Sequence, residues 1–591
     1  MVWALLLAYA FHATVIAPGT PLTESAWHYE WFRVTEHFAA GIGCLLDPIS
    51  VMMLVVITVI AFLINIYSIG YMRHDASAGR FFALLSFFAF AMLGLVMADN
   101  LVQMFVFWEL VGAASYLLIG FWYDKPEAVA ASKKAFIVTR FADAFFLAGI
   151  VIVAVTTGHV DFAWLNSPQA AFTLQAGLLG LNVLTIGTVL IFIGGWGKSA
   201  MFPLHIWLPD AMEGPTPVSA IIHSATMVVA GVFLTARMFP LFAAADGTLL
   251  VVEITGAFTA LFAAVIACTQ FDIKRILAYS TLSQLGYMMF ALGVADTEHP
   301  EGYSASMFHV FSHAWFKCLL FQGAGLIIHV VHSNDIREMG GLRAKLKGSW
   351  VVMGIACLAI AGFPFLSGFW SKDAILLAAW NGHHYLTFGL GLFVGLLTAF
   401  YMFRLFFVVF HGSYRGKQEH YDHAHEDPFM LGPMIVLAIP SLAAGWLANS
   451  YFAHHVVVPG SVHAEHAHPM WLPIVAGGAG IIGVAIAWAM YCRKLPDLAA
   501  PAAGIRKLVL NKFYVDEVYL WLTHKVIFAW IARPSMKCDD VVVDGLLHGS
   551  ADGAQSLGAG VRKVQNGRVQ RYVAMMVAGV VLIAVIWGIS R

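Results

Sequence analysis

The sequence predicts an all-α polytopic membrane protein of about fifteen transmembrane helices, some of them broken, followed by an amphipathic segment and one final helix. Composition is the first observation: of 591 residues, 60% are hydrophobic and only 11% are charged, whereas a soluble domain carries about 25% charged residues. The second is a succession of apolar runs close to the roughly 20 residues that a span needs. The third is the placing of Lys and Arg in alternate connections.

Fifteen apolar runs come near spanning length, and each predicts one helix. They lie at 2–17, 48–70, 81–97, 101–121, 135–155, 183–201, 217–238, 249–269, 276–295, 304–330, 350–378, 388–410, 431–448, 471–491 and 571–589. The first run has no basic segment before it and no clean small-residue cleavage site after it, so it is not interpreted as a signal peptide.

The distribution of basic residues supports this order of helices. Lys and Arg occur in the connections at 71–80, 122–134, 270–275, 331–349 and 411–430. The connections between them contain neither residue: 98–100, 156–182, 239–248, 296–303, 379–387 and 449–470. Because an excess of Lys and Arg marks the cytoplasmic side, one miscounted helix would destroy this alternation. Arg33, in the 18–43 loop, departs from it.

The region at 492–570 is rich in Lys and Arg and falls on the same inner side. Its first part, at 513–532, contains Asp516, Glu517, His524 and Lys525, which predicts a helix at the membrane surface rather than a span. Pro534 is expected to kink or divide the arm. Apolar residues then recur at spacings of three and four, as in an amphipathic helix: Val543, Leu547, Ala551, Ala554, Leu557, Val561 and Val564.

Ten ionisable residues lie inside predicted spans: Glu109, Arg140, Asp143, Lys198, His223, His309, His313, Lys317, Lys372 and Arg404. A Lys or Asp at the centre of a membrane helix costs about 2.5–3.5 kcal/mol. A passive scaffold has little reason to carry such a series, so the series predicts a polar pathway. His309, His313 and Lys317 follow one another at four-residue intervals, which places three proton-exchanging groups roughly 6 Å apart along one helix face.

Two of these lysines lie beside prolines. GGWGKSAMFPLHIWLPDA, at 194–211, holds Lys198, and AGFPFLSGFWSKDA, at 361–374, holds Lys372. Broken backbone at membrane depth is tolerated only within the protein or beside water, and paired broken helices are typical of ion carriers built from repeats. We expect each break to hydrate the lysine beside it.

The sequence predicts neither a metal site nor a redox cofactor in this chain. Its six cysteines are scattered without a CxxC pair, which argues against an iron–sulfur cluster, a zinc site or a disulfide framework. Two His-rich loops, at 411–428 and 463–468, are expected on opposite membrane faces. The net charge of −1 gives no indication of nucleic-acid binding.

Several motifs resemble those of the antiporter-like membrane subunits of respiratory complex I, over about residues 45–410. They are FVFWELVGAASYLLIGFWY around Glu109, KKAFIVTRFADAFF with Arg140 and Asp143, GKSAMFPLHIWLPDAMEGPTPVSAIIHSATM, DIKRILAYSTLSQLGYM, FHVFSHAWFKCLLF and GFWSKDAIL. Within that family the sequence is most similar to the subunit L, or chain 5, type. Lys372 stands where the middle sister subunit has a glutamate, and the long arm followed by one last helix is typical of that type.

The resemblance implies two inverted five-helix repeats, each with a broken helix, and proton translocation driven by quinone reduction elsewhere in a complex. It implies that Glu109 pairs with Lys198, that His223 follows, and that His309, His313 and Lys317 lead to Lys372. Arg140, Asp143 and His205 would be supporting residues. Relatives begin with one more helix before the run at 2–17.

The resemblance also divides the chain. It implies N-terminal helices at 1–80, a proton-translocating core at 81–415, peripheral helices at 416–491, a lateral arm at 492–570 and an anchor at 571–591. The partners would be neighbouring antiporter-like subunits and the lipid bilayer. NADH, FMN, iron–sulfur clusters and quinone would be bound by partner subunits. The expected location is a bacterial inner membrane, with the basic loops and the arm on the cytoplasmic side.

Two other functions stay open. One is a multisubunit cation/proton antiporter, whose large subunits share these motifs but usually continue into a long extra membrane domain. The other is the membrane half of an inorganic-carbon uptake complex, whose subunits lack a basic arm. The genes beside this one would distinguish the three.

Overall fold

A computed structural model of the chain describes residues 27–33, 39–175, 182–296, 298–458, 469–493 and 503–591. The predicted helix at 2–17 and the His-rich loop at 463–468 lie outside these ranges. The chain forms two compact units, Met1–Asn511 and Lys512–Arg591. Each is described by itself.

The first unit opens with two antiparallel strands, β1 (Trp27–Arg33) and β2 (Ala39–Cys44). The sequence analysis assigned this stretch to a loop. The side-chain amide of Gln103 holds β2, because its Oε1 accepts from the Gly43 amide at 2.8 Å and its Nε2 donates to the Gly43 carbonyl at 2.9 Å. A buried polar clamp of this kind depends on a residue 60 positions away, so local sequence does not reveal it.

The rest of the first unit is helical. Its α-helices are α1 (Pro48–Tyr71), α2 (Ala78–Met97), α3 (Leu101–Ile119), α4 (Pro126–Thr157), α5 (Phe162–Leu165), α6 (Pro168–Gln175), α7 (Val183–Lys198), α8 (Thr216–Ser224), α9 (Ala230–Arg237), α10 (Phe239–Ala243), α11 (Thr248–Ala267), α12 (Ile273–Gly293), α13 (Glu301–Val331), α14 (Lys347–Ala361), α15 (Ser367–Asn381), α16 (Tyr385–Phe410), α17 (Gln418–Asp422), α18 (Pro428–His455), α19 (Trp471–Tyr491) and α20 (Ala503–Leu510). Short 3₁₀ helices occupy Leu204–Trp207, Asp210–Glu213, Met227–Val229, Ile336–Glu338 and Leu342–Ala344.

Eleven helices among the described residues are long and apolar enough to cross a membrane, and all eleven coincide with predicted runs. The predicted run at 183–201 forms the shorter helix α7, and that at 350–378 forms α14 and α15. The run at 276–295 forms α12, which buries Ser280, Ser283 and Gln284 and is therefore less apolar. The all-α membrane fold is confirmed, and the number fifteen stays a prediction.

The predicted breaks lie beside both lysines. Helix α7 ends at Lys198, and two 3₁₀ turns follow before α8 begins. The indole of Trp207 donates to the Gly197 carbonyl at 3.0 Å, so a side chain satisfies a carbonyl that the ended helix leaves free. Helices α14 and α15 are separated at 362–366, where Pro364 cannot donate and Gly362 adopts the left-handed conformation with φ +74°.

Two helical hairpins, α3–α4 and α12–α13, share a closing feature. One antiparallel bridge joins Asn100 to Asp161, and another joins Asp272 to Asp335. In each hairpin the first residue is the N-cap of the first helix, and its second helix has 32 or 31 residues. These matched features support the inverted repeat that the resemblance implies. The repeat itself stays a prediction.

Close backbone contact holds α11 against α12. A Cβ on Gly286 would lie 2.6 Å from the Ala260 nitrogen and 2.6 Å from the Gly256 oxygen. Small residues allow membrane helices to approach in this way, and dispersion contacts then stabilise the pair. The polar side chains of α12 are consequently fixed in the interior of the first unit.

The second unit begins with left-handed backbone at Lys512, Phe513 and Tyr514. Helical residues then run without interruption from 515 to 564. The segments are α21 (Val515–Trp521), a π-helix Leu522–Ala532, α22 (Arg533–Cys538), a π-helix Asp539–Val543 and α23 (Asp544–Val564), and after a turn comes α24 (Val569–Ile589). The arm is not divided at Pro534, and a kink there, the other expected outcome, stays a prediction. Pro534 lies in the first turn of α22, directly after π-helical turns, where a missing N–H is tolerated.

Candidate functional site

The first cluster of the site surrounds Asp143 on α4. Its Oδ1 accepts from the Trp108 indole at 2.6 Å. Its Oδ2 lies 3.2 Å from Arg140 Nη1 and 3.4 Å from Lys198 Nζ. The side chains of Asp143 and Lys198 are 2% and 0% exposed, so this is a buried ion pair with an additional indole donor. Such a pair is retained only when its remaining polar atoms are satisfied.

Glu109 lies at the edge of the same cluster and forms an ion pair with Arg140 Nη1. Arg140 Nη2 also donates to the Glu109 carbonyl at 2.9 Å. The expected direct pairing of Glu109 with Lys198 is therefore wrong in this structure, because Asp143 is the acid beside Lys198. Arg140 and Asp143 are three residues apart on one face of α4, so the guanidinium reaches both carboxylates. Glu109 is 33% exposed at its side chain.

Gly112 on α3 makes room for both cations. A Cβ at this position would lie 2.4 Å from Arg140 Nη2 and 2.7 Å from Lys198 Nζ. A real Cβ does not make contacts as short as these. The absence of a side chain at Gly112 therefore allows the Arg140 guanidinium and the Lys198 ammonium to lie next to each other against α3.

His223 on α8 is fully buried against the ring of Phe321, at a centroid distance of 5.0 Å. Neither of its ring nitrogens has a hydrogen-bond partner in the described part of the chain. One residue further, α8 ends, and the carbonyl of Ser224 accepts from His313 Nδ1 at 3.3 Å. The interruption of this helix thus provides an acceptor for the next histidine of the series.

The predicted triplet lies on one uninterrupted helix, α13. His309, His313 and Lys317 are all 0% exposed, and the two rings are 6.3 Å apart. His309 hydrogen-bonds with Ser371 Oγ at 2.9 Å and with Gln284 Oε1 at 3.2 Å. Lys317 donates to Ser280 Oγ. The triplet thus contacts both α12 and α15.

Lys372 on α15 points back to the end of α14. Its Nζ donates to the Ile360 carbonyl at 2.6 Å and lies 5.2 Å from the centre of the Tyr287 ring. That carbonyl is one of the four that the end of a helix leaves free. The neighbouring residue, Ser371, is the partner of His309, so α15 joins the triplet to the last lysine.

Several other buried atoms along this line have no partner among the described residues: Ser219 Oγ, Ser283 Oγ, Gln284 Nε2, Ser312 Oγ and His313 Nε2. Buried polar atoms are nearly always hydrogen-bonded to protein or ordered water. Atoms of this kind in a row, between titratable side chains, are typical of a path that holds water.

His205, the third supporting residue, is packed among aromatic rings. Its ring stacks on Phe202 at 5.6 Å, meets Phe262 edge-on at 5.0 Å, and contacts the Pro203 carbonyl at 3.2 Å. These contacts stabilise the segment after Lys198.

Four residues that contact the predicted site residues were not predicted from the sequence: Trp108, Ser280, Gln284 and Ser371. Ser280 and Gln284 are four residues apart and so share one face of α12, and a polar face inside an apolar helix is a signal that could have identified them. Trp108 and Ser371 have no such signal, because an indole and a serine are common inside membrane helices.

A second group of titratable side chains lines a cavity of about 460 Å³ at the ends of α1 and α13. We call it the histidine cavity. Its histidines are His74, His329, His332, His420, His423 and His425. Arg73, Glu419 and Asp427 also line it, and Arg73 pairs with Asp427 at 3.2 Å. Within the described ranges no group of three or more His, Cys, Asp or Glu side chains is arranged to hold a metal ion.

Fold and site together define a polytopic helical membrane protein that carries a line of buried ionisable side chains past broken helices. The chain belongs to the family described as NADH:quinone oxidoreductase/Mrp antiporter, transmembrane, which matches residues 98–398. A second description, NADH-ubiquinone oxidoreductase (complex I), chain 5 N-terminus, matches residues 31–82. The chain is thus an integral membrane protein of the antiporter-like subunit family.

Relatives align along nearly the whole chain. F(420)H(2) dehydrogenase subunit L of Methanosarcina mazei is 39% identical, covering 98% of this chain and 92% of its own length. NAD(P)H-quinone oxidoreductase chain 5 of a Picosynechococcus species is 40% identical, with 94% and 89% covered. NADH-quinone oxidoreductase subunit L of Neisseria meningitidis is 40% identical, with 100% and 94% covered.

Two solved structures share the fold. A chain of the Mrp complex from Dietzia sp. superposes with a TM-score of 0.71 at 24% identity. The match covers 100% of this chain and 60% of that one. A chain of the archaeal membrane-bound sulfane sulfur reductase superposes with a TM-score of 0.65 at 23% identity, with 83% and 92% covered.

Proposed function

We propose that this chain is the proton-translocating membrane subunit, of the subunit L or chain 5 type, in a respiratory NADH:quinone oxidoreductase. The observation that carries the proposal is the succession of buried ionisable side chains from Asp143 to Lys372, which runs through α4, α7, α8, α13 and α15. Relatives at 39–40% identity that align over almost their whole length carry oxidoreductase subunit names, which supports the assignment.

The first step of the path is charge exchange around Lys198. Asp143 is the acid beside it, and Arg140 is shared between Asp143 and Glu109. When Arg140 moves toward Glu109, the negative charge of Asp143 is less shielded and favours the protonated ammonium of Lys198. When Arg140 moves toward Asp143, that stabilisation weakens and Lys198 releases its proton. Glu109, at the edge of the bundle, is the group that exchanges with the outside of the cluster.

The released proton passes to His223 and then to the triplet on α13. His223 and His313 have unpartnered nitrogens, and imidazole both accepts and donates a proton near neutral pH. From Lys317 and His309 the proton is transferred to Lys372, the terminal group of the series. The hydroxyl and amide groups that contact Lys317 and His309 lie along this step: Ser280, Gln284 and Ser371. Redox chemistry contributes the driving force and takes place in other subunits.

The orientation follows from the basic connections. We assign the side of the 270–275, 331–349 and 411–430 connections to the cytoplasm of a bacterial inner membrane. The neighbouring antiporter-like subunits are the proposed partners. In this assignment the partner subunits bind NADH, FMN, iron–sulfur clusters and quinone. The region at 492–570 is the lateral arm that holds the membrane subunits together.

The test is proton pumping per assembled complex in reconstituted vesicles. We expect Glu109→Gln and Lys198→Ala to leave assembly intact but to reduce pumping by about tenfold or more. The first removes the carboxylate that pairs with Arg140, and the second removes the ammonium that pairs with Asp143. Quinone reduction should fall in parallel when coupling is tight. Lys133→Ala, at an exposed position of α4, is the matched control and should pump normally.

Normal pumping by Glu109→Gln or Lys198→Ala would overturn the assignment of the path. Proton movement driven by a sodium gradient without quinone reduction would instead identify a cation/proton antiporter.

A further inference from the structure

A carboxylate and a histidine face each other at one end of the first unit, outside the site described above. Glu253 lies on α11, and its Oε1 is 2.9 Å from Nδ1 of His384, the residue that precedes α16. The Glu253 side chain is 8% exposed, and the His384 side chain is 33% exposed. The carboxylate is thus buried, and the imidazole connects it with the molecular surface.

The Glu253–His384 pair lies far from the basic connections. Glu253 is in the second turn of α11, and this helix then runs toward the basic connection at 270–275. Helix α16 starts directly after His384 and ends at the basic connection 411–430. Because an excess of Lys and Arg marks the cytoplasmic side, the pair lies on the opposite, outer side.

The partner of Glu253 decides what the pair can do. Another ion pair, at the end of α9, joins Arg237 to Asp47 at 2.5 Å, and a guanidinium always keeps its proton. Histidine, by contrast, takes up and releases a proton near neutral pH. The Glu253–His384 pair can therefore change its protonation state, whereas the charges of the Arg237–Asp47 pair are fixed.

Polar atoms on two helices connect Lys372 with Glu253. The Lys372 ammonium lies 5.2 Å from the centre of the Tyr287 ring on α12, and the Tyr287 hydroxyl donates to the Gly391 carbonyl on α16. Gly391 and Thr387 are four residues apart and share one face of α16. Thr387 Oγ1 donates to Glu253 Oε1 at 2.5 Å. A line of hydroxyl, carbonyl and carboxylate groups thus leads from the last lysine of the path to the pair.

Other titratable side chains lie next to His384 at the surface. Nδ1 of the neighbouring His383 is 2.8 Å from the Tyr385 hydroxyl, and its ring lies 6.4 Å from that of His299. His299 Nδ1 is in turn 3.5 Å from an Asp296 oxygen. The two connections that hold these groups, between α12 and α13 and between α15 and α16, contain no Lys or Arg. A proton that His384 releases therefore meets proton acceptors in both connections.

We propose that protons leave Lys372 for the outer side through the Glu253–His384 pair, an inference that rests on the proposed function. Water beside Tyr287 and Thr387 carries a proton from the Lys372 ammonium to the Glu253 carboxylate. His384 then takes this proton from Glu253 and releases it to the outer water. Each group returns to its starting charge, so one proton leaves for each that Lys372 gives up.

The test measures the initial rate of acidification by the purified complex in reconstituted vesicles, normalised to assembled complex. We expect Glu253→Gln to reduce this rate by about tenfold or more, because an amide does not exchange a proton as a carboxylate does. The amide oxygen can still accept from Thr387 and His384, so native-gel assembly and the melting temperature of the complex should stay unchanged. Glu253→Asp keeps a carboxylate and should retain more pumping. Glu298→Gln, at an exposed acid on the same side, is the control and should pump like the parent.

His384→Asn is a second test that leaves the interior intact. His384 is the N-cap of α16, and asparagine is among the preferred residues at that position, so the helix should form normally. Asparagine does not titrate, and we expect pumping to fall by about threefold or more, less than in Glu253→Gln because water partly replaces an exposed group. If Glu253→Gln does not assemble, this variant decides the question.

Lys198→Ala in the same preparation separates this inference from the proposed function. Normal pumping by Glu253→Gln together with a loss in Lys198→Ala would overturn the release pair and leave the proposed function in place. Normal pumping by both would overturn the proposed function and this inference with it. Equal loss in Glu253→Asp and Glu253→Gln, or normal pumping by His384→Asn, would reduce the pair to a packing contact between α11 and α16.

Discussion

Arg140 is shared between two carboxylates, and this sharing is the central feature at the scale of single residues. It pairs with Glu109 and lies 3.2 Å from Asp143, which in turn is 3.4 Å from Lys198. A small movement of one guanidinium therefore changes the charge felt by the lysine without any large change in the helices. The coupling between Asp143 and Lys198 is strong because both side chains are removed from water.

Gly112→Ala tests this arrangement without removing any charge. The added methyl would lie 2.7 Å from Lys198 Nζ and 2.4 Å from Arg140 Nη2, so one cation must move away from its carboxylate. We expect pumping to fall by about tenfold or more in an assembled complex, as for the loss of a buried partner. Gly79→Ala on α2, where nothing lies within 4 Å, is the control. Pumping equal in the two variants would show that the cluster tolerates displacement.

Lys372 tests whether the last group must be a cation or merely titratable. Its ammonium donates to the Ile360 carbonyl, and a protonated glutamate can donate to the same oxygen. We therefore expect Lys372→Glu to retain more pumping than Lys372→Ala. The measurement is the initial rate of acidification in vesicles, normalised to the amount of complex. Equal loss in both variants would indicate a strictly cationic requirement and contradict simple relay.

At the scale of helices, two helix interruptions each provide a backbone carbonyl that accepts a hydrogen bond from a buried side chain. The end of α8 frees the Ser224 carbonyl for His313, and the end of α14 frees the Ile360 carbonyl for Lys372. In both places a backbone acceptor replaces a solvent molecule beside a buried donor. The prolines and glycines near the breaks thus serve the site as well as the fold.

The histidine cavity predicts a pH-dependent phenotype. It lies at the ends of α1 and α13, where Tyr71 bonds with Thr216 at 3.3 Å at the start of the helix that carries His223. Histidines that collect protons matter most when protons are scarce. We expect the triple variant His420→Asn, His423→Asn and His425→Asn to slow pumping at pH 8 but not at pH 6, measured on one preparation.

Three other charged groups face these rings, Arg73, Glu419 and Asp427, and the triple variant leaves them in place. The control is His454→Asn with His455→Asn, at the opposite end of α18. A loss that is equal at both pH values, or that the control shares, would assign the histidines a structural role only.

At the scale of the whole molecule, the length of the second unit and its exposed apolar stripe indicate its role. A helical path from 515 to 564 would extend roughly 75 Å at 1.5 Å per residue. The apolar stripe of α23 includes Leu547, Leu557 and Val561, which are 60–73% exposed. A path of this length with an exposed apolar stripe favours a clamp along neighbouring subunits over a pumping element.

Deletion of residues 540–591 should therefore release the subunit and reduce pumping through lost assembly. Leu547→Ala should do little, because one contact of many is removed. Native-gel assembly and pumping per assembled complex are measured together. A single stripe substitution that keeps assembly but uncouples pumping would contradict the clamp.

The sequence by itself determined the class of the fold, the eleven matching spans and the triplet on α13. Hydrophobic length, charge alternation and helical spacing are properties of contiguous residues, so they can be read along the chain. The sequence also located both broken segments, because proline and glycine act on their own backbone.

Only the tertiary structure decided which carboxylate meets Lys198. Glu109 and Asp143 are both acids in neighbouring spans, and the choice depends on how α3, α4 and α7 pack around Gly112. The contact of Gln103 with strand β2 and the contacts from Ser280 and Gln284 also join segments far apart in sequence. Contacts between distant segments depend on helix packing in three dimensions, and no local pattern specifies that packing.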